Sequence, residues 1–163
     1  MNVHLFIACL FLSMIHCRDL CLDRYYKNLD DPSRGSDYYG KYCDDSMMLP
    51  SPDWEGPGLY RIVQPAGLVL PEHPVGYGHC STEATGCLNG SHPTEPGETV
   101  ERTVCFQGIS DMTCAWQQEI QVTNCGDYFL YGLQEVPVCY ARYCSSDHFW
   151  VVWSNYFVSI YQW

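Results

Sequence analysis

Four short stretches of the chain carry the signal of half-buried β-strands. In 58–63, Leu59, Arg61 and Val63 alternate with Tyr60 and Ile62. In 119–125, Ile120 and Val122 alternate with Gln121 and Thr123, a period of two that sends successive side chains to opposite faces of a sheet. The stretches 99–106 and 127–133 read as two further strands, rich in β-branched and aromatic residues. Residues 64–98 are dominated by Pro, Gly, Ser and Thr and read as a long irregular segment, functional or tied down by covalent links. Residues 18–57 are polar, acidic and tyrosine-rich, with short strands at most between turns. No long amphipathic helix and no internal repeat is evident. The pattern predicts a small, disulfide-rich single domain, mostly β with irregular loops, over residues 18–144.

The ends differ from this middle. Leu5 to Ile15 is a continuous apolar run, the length of a signal-peptide core and too short to span about 30 Å of hydrocarbon. Residues 1–17 are therefore expected to be a signal peptide, which places the protein in the secretory pathway and outside the cell. Residues 145–163 form an apolar, aromatic tail, again short for a membrane-crossing helix. It suits a final strand or an interaction surface, and its role stays open.

Charge narrows the partners. Lys and Arg total 8 against 19 Asp and Glu, a net charge of −11, with no basic run to reverse it locally. A phosphate backbone or an anionic membrane surface would be repelled, so nucleic acid is not an expected partner. The acidic pairs Asp30-Asp31 and Asp44-Asp45 lack the alternating spacing of a calcium loop and read as solvated turns; no metal and no cofactor is expected.

The chain has eleven cysteines, of which Cys9 and Cys17 belong to the expected signal peptide. Nine follow: Cys21, Cys43, Cys80, Cys87, Cys105, Cys114, Cys125, Cys139 and Cys144. No C-x-x-C spacing occurs, so zinc is disfavoured, and the density points to a disulfide framework. Nine is odd, so one thiol lacks a partner within the chain.

Catalytic motifs are absent: there is no G-x-S-x-G and no H-E-x-x-H. Past the signal peptide the histidines are His73, His79, His92 and His148. His79-Cys80 would be a base beside a nucleophile only if the cysteine were free, and His92 reads as a loop residue. No enzyme is expected. The chemistry that remains is at Asn89-Gly90-Ser91, the single N-glycosylation sequon of the sequence. Asn-Gly favours a tight turn that projects the asparagine outward, and Pro93 restrains the chain just beyond.

These blocks carry a resemblance. "YKNLDD", "YYGKYCDDS", "GLYRIV", "LPEHPVGYGHC", "CLNGSHPT", "VERTVCF", "TCAW", "IQVTNCG", "YFLYGL" and "PVCYARYC" follow one another from Tyr26 to Cys144. In this order they resemble the uromodulin-like ten-cysteine domain. The resemblance implies that Cys21, Cys43, Cys80, Cys105, Cys114, Cys125, Cys139 and Cys144 are eight of the family's ten framework cysteines. Pro74 and Thr113 stand where the other two would be. It also implies that Asn89 presents a mannose-rich glycan to a lectin or bacterial adhesin, as a decoy. The alternative is an extracellular protein-binding or matrix module whose glycan only aids folding. Cys87 stands where the family has tryptophan and makes the count odd. It either pairs with Cys80, forms an intermolecular disulfide and so a dimer, or is a buried thiol.

Overall fold

The computed structural model describes residues 20–21, 26–45, 49–109 and 114–147, and the backbone of 150–153 and 156–159. The expected signal peptide and His148 lie outside these residues. Nine strands are described: β1 (Lys27–Leu29), β2 (Gly58–Ile62), β3 (Ala84–Asn89), β4 (Thr99–Gln107), β5 (Trp116–Asn124), β6 (Phe129–Leu133), β7 (Ala141–Tyr143), β8 (Trp150–Trp153) and β9 (Tyr156–Ser159). The first seven make one sheet in the order β1-β2-β6-β5-β4-β3-β7. Pairings are antiparallel except at its two edges, where β1 runs parallel to β2 and β7 parallel to β3. β8 and β9 form a separate two-stranded hairpin, which gives the tail regular backbone structure.

The alternation read from the sequence places the core. Ile120 and Val122 on β5 are buried while Gln117, Glu119 and Gln121 are exposed. Leu88, Val104, Phe106, Tyr131 and Leu133 join them on the inner face, where Trp54 stacks on Tyr60 with ring centroids 5.2 Å apart. Strand β3 was not legible as a strand. All of Ala84–Leu88 is buried, so it shows no alternation, and Gly86 has a structural reason to be glycine. A Cβ there would sit 2.7 Å from the Phe106 ring and 2.8 Å from the Arg142 carbonyl, so only glycine lets β4 and β7 close on β3.

Three disulfides join the described residues: Cys21–Cys125, Cys80–Cys144 and Cys105–Cys114. The first two close chain separations of 104 and 64 residues, and each removes loop entropy from the unfolded chain, worth about 2–4 kcal/mol. Cys43, Cys87 and Cys139 are not bridged.

The acidic turns differ from expectation. Asp44 is fully buried, not solvated. With Asp31 and Asp53 it surrounds two fully buried arginines, Arg34 and Arg142. Arg34 uses all five of its N–H donors. Nη1 and Nη2 bind Asp44 at 2.7 and 2.9 Å, Nε and Nη2 bind Asp53 at 2.8 and 2.6 Å, and Nη1 also reaches the Tyr143 carbonyl at 3.0 Å. Arg142 donates to Asp31 at 2.8 Å, to Ser33 Oγ at 2.9 Å and to the Cys80 carbonyl at 3.1 Å. One carboxylate of each acidic pair, Asp31 and Asp44, is thus committed to arginine, and neither pair is the solvated turn that the sequence suggested.

Burial works against charge on Asp53, but the Arg34 hydrogen bonds outweigh it and hold its carboxyl below the usual 3.8. Burial likewise opposes charge on Asp31, and bonds from Ser33 and Arg142 again lower it. Because these folded pKa values are depressed, their contribution is present above the unfolded value near 3.8 and is lost as pH falls through the folded values. Urea unfolding should therefore give a stability that is flat above about pH 5 and declines below about pH 4. Arg34→Met should lose about 3–5 kcal/mol at neutral pH by stranding buried carboxylates. A loss under about 1 kcal/mol would show that the cluster is not a stabilising centre.

Candidate functional site

Asn89 is the last residue of β3, opposite Thr103 of β4. It is exposed, and the residues that share its face are polar: Thr103, Glu101, Glu119 and Gln121. Thr103 Oγ1 donates to Glu119 at 2.7 Å. The asparagine thus rises from a solvated sheet surface where a bulky glycan meets no apolar wall. The positive φ expected of the turn falls on Gly90, at +120°, and Asn89 itself stays in the strand.

The chain beyond the sequon is pinned at three points. Arg102 Nε donates to the Ser91 carbonyl at 2.8 Å. His92 is buried, 6% exposed, and not a loose loop residue. Its backbone N–H donates to Glu72 Oε1 at 2.8 Å, its Nδ1 lies 2.6 Å from the same oxygen, and its Nε2 lies 2.8 Å from the Tyr131 hydroxyl. Its ring also packs on Phe129, centroids 4.5 Å apart. Burial opposes charge on Glu72, yet the His92 bonds outweigh it and lower its pKa below the usual 4.5. Third, Asn124 Nδ2 donates to the Pro93 carbonyl at 2.9 Å. Nothing in the sequence pattern linked Glu72, His92 and Tyr131, which are brought together only by the sheet.

The cysteines settle into distinct roles. Cys80 is bonded to Cys144, so it is neither a partner for Cys87 nor a nucleophile beside His79. Cys87 is 4% exposed, so its sulfur cannot meet a second chain and a dimer through it is not built in. It is the buried thiol, and burial raises its pKa to about 11. Cys139, by contrast, is exposed. It lines a small apolar groove of about 100 Å³ with Tyr77, Ile109, Trp116 and Val138. Cys43 is buried, and its thiol lies within hydrogen-bonding range of the backbone N–H groups of Tyr140 and Ala141, directly after Cys139. Among the described residues no cluster of His, Cys, Asp or Glu could hold a metal ion, and no helix is long and apolar enough to cross a membrane.

A disulfide-stapled β domain with a sequon displayed on its sheet fits one class of protein, the non-enzymatic extracellular module. The family follows from comparison with known proteins. The family model of the uromodulin-like cysteine-rich domain matches residues 60–145, and the chain belongs to this family. Rattus norvegicus uromodulin is 37% identical over 130 residues, covering 79% of this chain and 18% of the relative. The pancreatic secretory granule membrane major glycoprotein GP2 of Mus musculus is 34% identical over 136 residues, covering 79% of this chain and 23% of the relative. That of Canis lupus familiaris is 33% identical over 136 residues, covering 82% and 25%. The chain therefore spans about a fifth to a quarter of the length of these relatives.

The positions of Cys43 and Cys139 generate a prediction. Mild oxidation should join them within one chain, because the fold holds the Cys43 thiol against the backbone just after Cys139, whereas a second chain must arrive by diffusion. Non-reducing peptide mapping should then show a Cys43–Cys139 pair and a monomer band on a non-reducing gel. A Cys139–Cys139 dimer with Cys43 still free would contradict it.

Proposed function

We propose that this domain is a secreted, non-enzymatic glycan presenter: Asn89 carries an N-glycan for recognition by a lectin or bacterial adhesin, and the sheet aims it. The observation that carries this reading is the placement of Asn89. It stands exposed at the end of a buried strand, above a polar face, and residues 91–93 just beyond it are tied down by Arg102, Glu72, Tyr131 and Asn124. A glycan that only aided folding would need exposure but no such anchoring. A rigid base limits the directions the first sugars take and so lowers the entropy lost when a lectin binds. A relative named as a glycoprotein supports the same reading. With one sequon, each chain offers one glycan, so attachment through this domain is monovalent and avidity requires several copies.

Protein secreted from a cell line that leaves high-mannose glycans should bind an immobilised mannose-specific fimbrial adhesin. Asn89→Gln, or removal of the glycan by glycosidase, should weaken that binding at least about 100-fold, equivalent to about 2.7 kcal/mol. Thermal unfolding should change little in the same samples. Equal binding with and without the glycan would overturn the reading. A large loss of stability with unchanged binding would favour the folding-aid alternative.

A further inference from the structure

The thiol that sets this chain apart from its family pattern faces a disulfide. Cys87 of β3 and Cys105 of β4 are direct cross-strand partners, so their side chains project on the same face of the sheet. Leu88 N–H turns away from β4 to the Pro71 carbonyl, which makes Cys87–Cys105 the hydrogen-bonded pair of that ladder. Opposite Cβ atoms in such pairs stand about 4.5–5.5 Å apart. Cys105 is itself bonded to Cys114. The segment after Cys114 runs along the other side of β4: Ala115 N–H donates to the Phe106 carbonyl at 2.9 Å, and Gln117 of β5 pairs with Cys105. The Cys105 sulfur therefore lies between two others, Cys87 approaching from the β3 side and Cys114 leaving toward the β5 side. That is the in-line arrangement thiol–disulfide exchange requires.

Access separates this thiol from an ordinary free cysteine. Cys87 and Cys105 are 4% and 8% exposed, closed to reagents from outside but not to each other. The loop around Gly76 covers the same face, with Thr85 Oγ1 donating to the Gly76 carbonyl and Gly76 N–H to Gln107. Cys114 is only half-buried, and its backbone sits at φ +73°, a left-handed conformation that a cysteine adopts at a cost.

We propose that Cys87 is a resident nucleophile for the Cys105–Cys114 bridge, making Cys114 a latent surface thiol open to modification by external disulfides or alkylating agents. In the exchange, Cys87 gives its proton to solvent base and its sulfur bonds to the Cys105 sulfur. The Cys105–Cys114 bond breaks, and Cys114 leaves as a thiolate that takes up a proton. One disulfide and one thiol are present before and after, so no oxidant or reductant enters. A disulfide wants Cβ atoms about 3.5–4.5 Å apart, slightly closer than the ladder holds Cys87 and Cys105. The exchanged form is therefore the minor one until Cys114 is captured. Exchange also frees residues 106–115 at one end, and Gly108 and Ile109 of that loop form a wall of the groove beside Cys139.

The test uses the intact chain. Exposed thiols are first blocked briefly with N-ethylmaleimide; the protein is then held folded with iodoacetamide, quenched in acid and mapped without reduction. The expected result is a Cys87–Cys105 linked peptide together with label on Cys114. Because the attacking thiol is held well above neutrality, the rate should rise about tenfold per pH unit between about pH 7 and about pH 10. Cys87→Ser should abolish label on Cys114 over the same period. An intact Cys105–Cys114 pair, with label on Cys87 or on neither, would overturn the proposal. So would a Cys87–Cys114 link with label on Cys105, which would contradict the in-line order of the three sulfurs.

Discussion

Arg34 is the constraint on which the rest of the domain depends. A guanidinium with no exposed surface needs every donor filled, and here all five are, by Asp44, Asp53 and the Tyr143 carbonyl. Those partners lie at residues 44, 53 and 143, so satisfying one side chain fixes the turn-rich first segment against the last strand of the sheet. Asp44 repeats the bond in the other direction by accepting from the Tyr143 N–H at 2.9 Å. Burial alone would depress the pKa of Arg34, yet the charges of Asp44 and Asp53 raise it above its usual value. Arg142 has the opposite balance: its burial and the neighbouring Arg34 charge lower its pKa against the pull of Asp44, Asp53 and Asp31. Three carboxylates around two guanidiniums make a cluster that holds together only when complete.

From that cluster the order of the sheet runs outward to the glycan address. Arg142 binds the Cys80 carbonyl, and Cys80 is bonded to Cys144, so β7 is fixed covalently and electrostatically at one place. β7 pairs with Ala84–Gly86, and the Gly86 carbonyl accepts from Cys144 N–H at 3.1 Å. The near half of β3 is thus held between β7 and β4. Its far half, past the end of β7, carries Leu88 into the core and Asn89 into solvent. The sequon lies at the point where the strand leaves this support, and the Glu72–His92–Tyr131 contacts take over there.

Much of this was legible along the chain, and what was not has a physical cause. Strands β2, β4, β5 and β6 were visible because each is solvated on one face and so alternates or is rich in β-branched and aromatic residues. β3 was hidden because its outer face is buried too, under a disulfide and the Gly76 loop, and because its Gly86 is demanded by neighbours remote in sequence. Asp44 read as a solvated turn because an acidic pair between turn residues looks the same whether it faces water or an arginine; its partners are 10 and 98 residues away, at Arg34 and Arg142. His92 read as a loop residue for the same reason, since Glu72 and Tyr131 meet it only through the fold. Asn89 was found because a sequon is local. Its anchoring was not, because every anchor but the chain itself is distant.

The cysteine beside the sequon shows how one residue changes the chemistry of a family's frame. At a position facing Cys105, a large ring would cover the Cys105–Cys114 bridge and could do nothing to it. A thiol in that place is small, buried and aimed at sulfur, and it turns a cover into a reactant. Its high pKa slows the reaction at neutral pH, and the ladder that holds the strands at their spacing favours the original bridge. Both effects act on rate and population, and neither removes the geometry. The two sites therefore share one strand with opposite demands: Asn89 must be displayed to be recognised, whereas Cys87, two residues earlier on the same face, stays harmless only while it is covered.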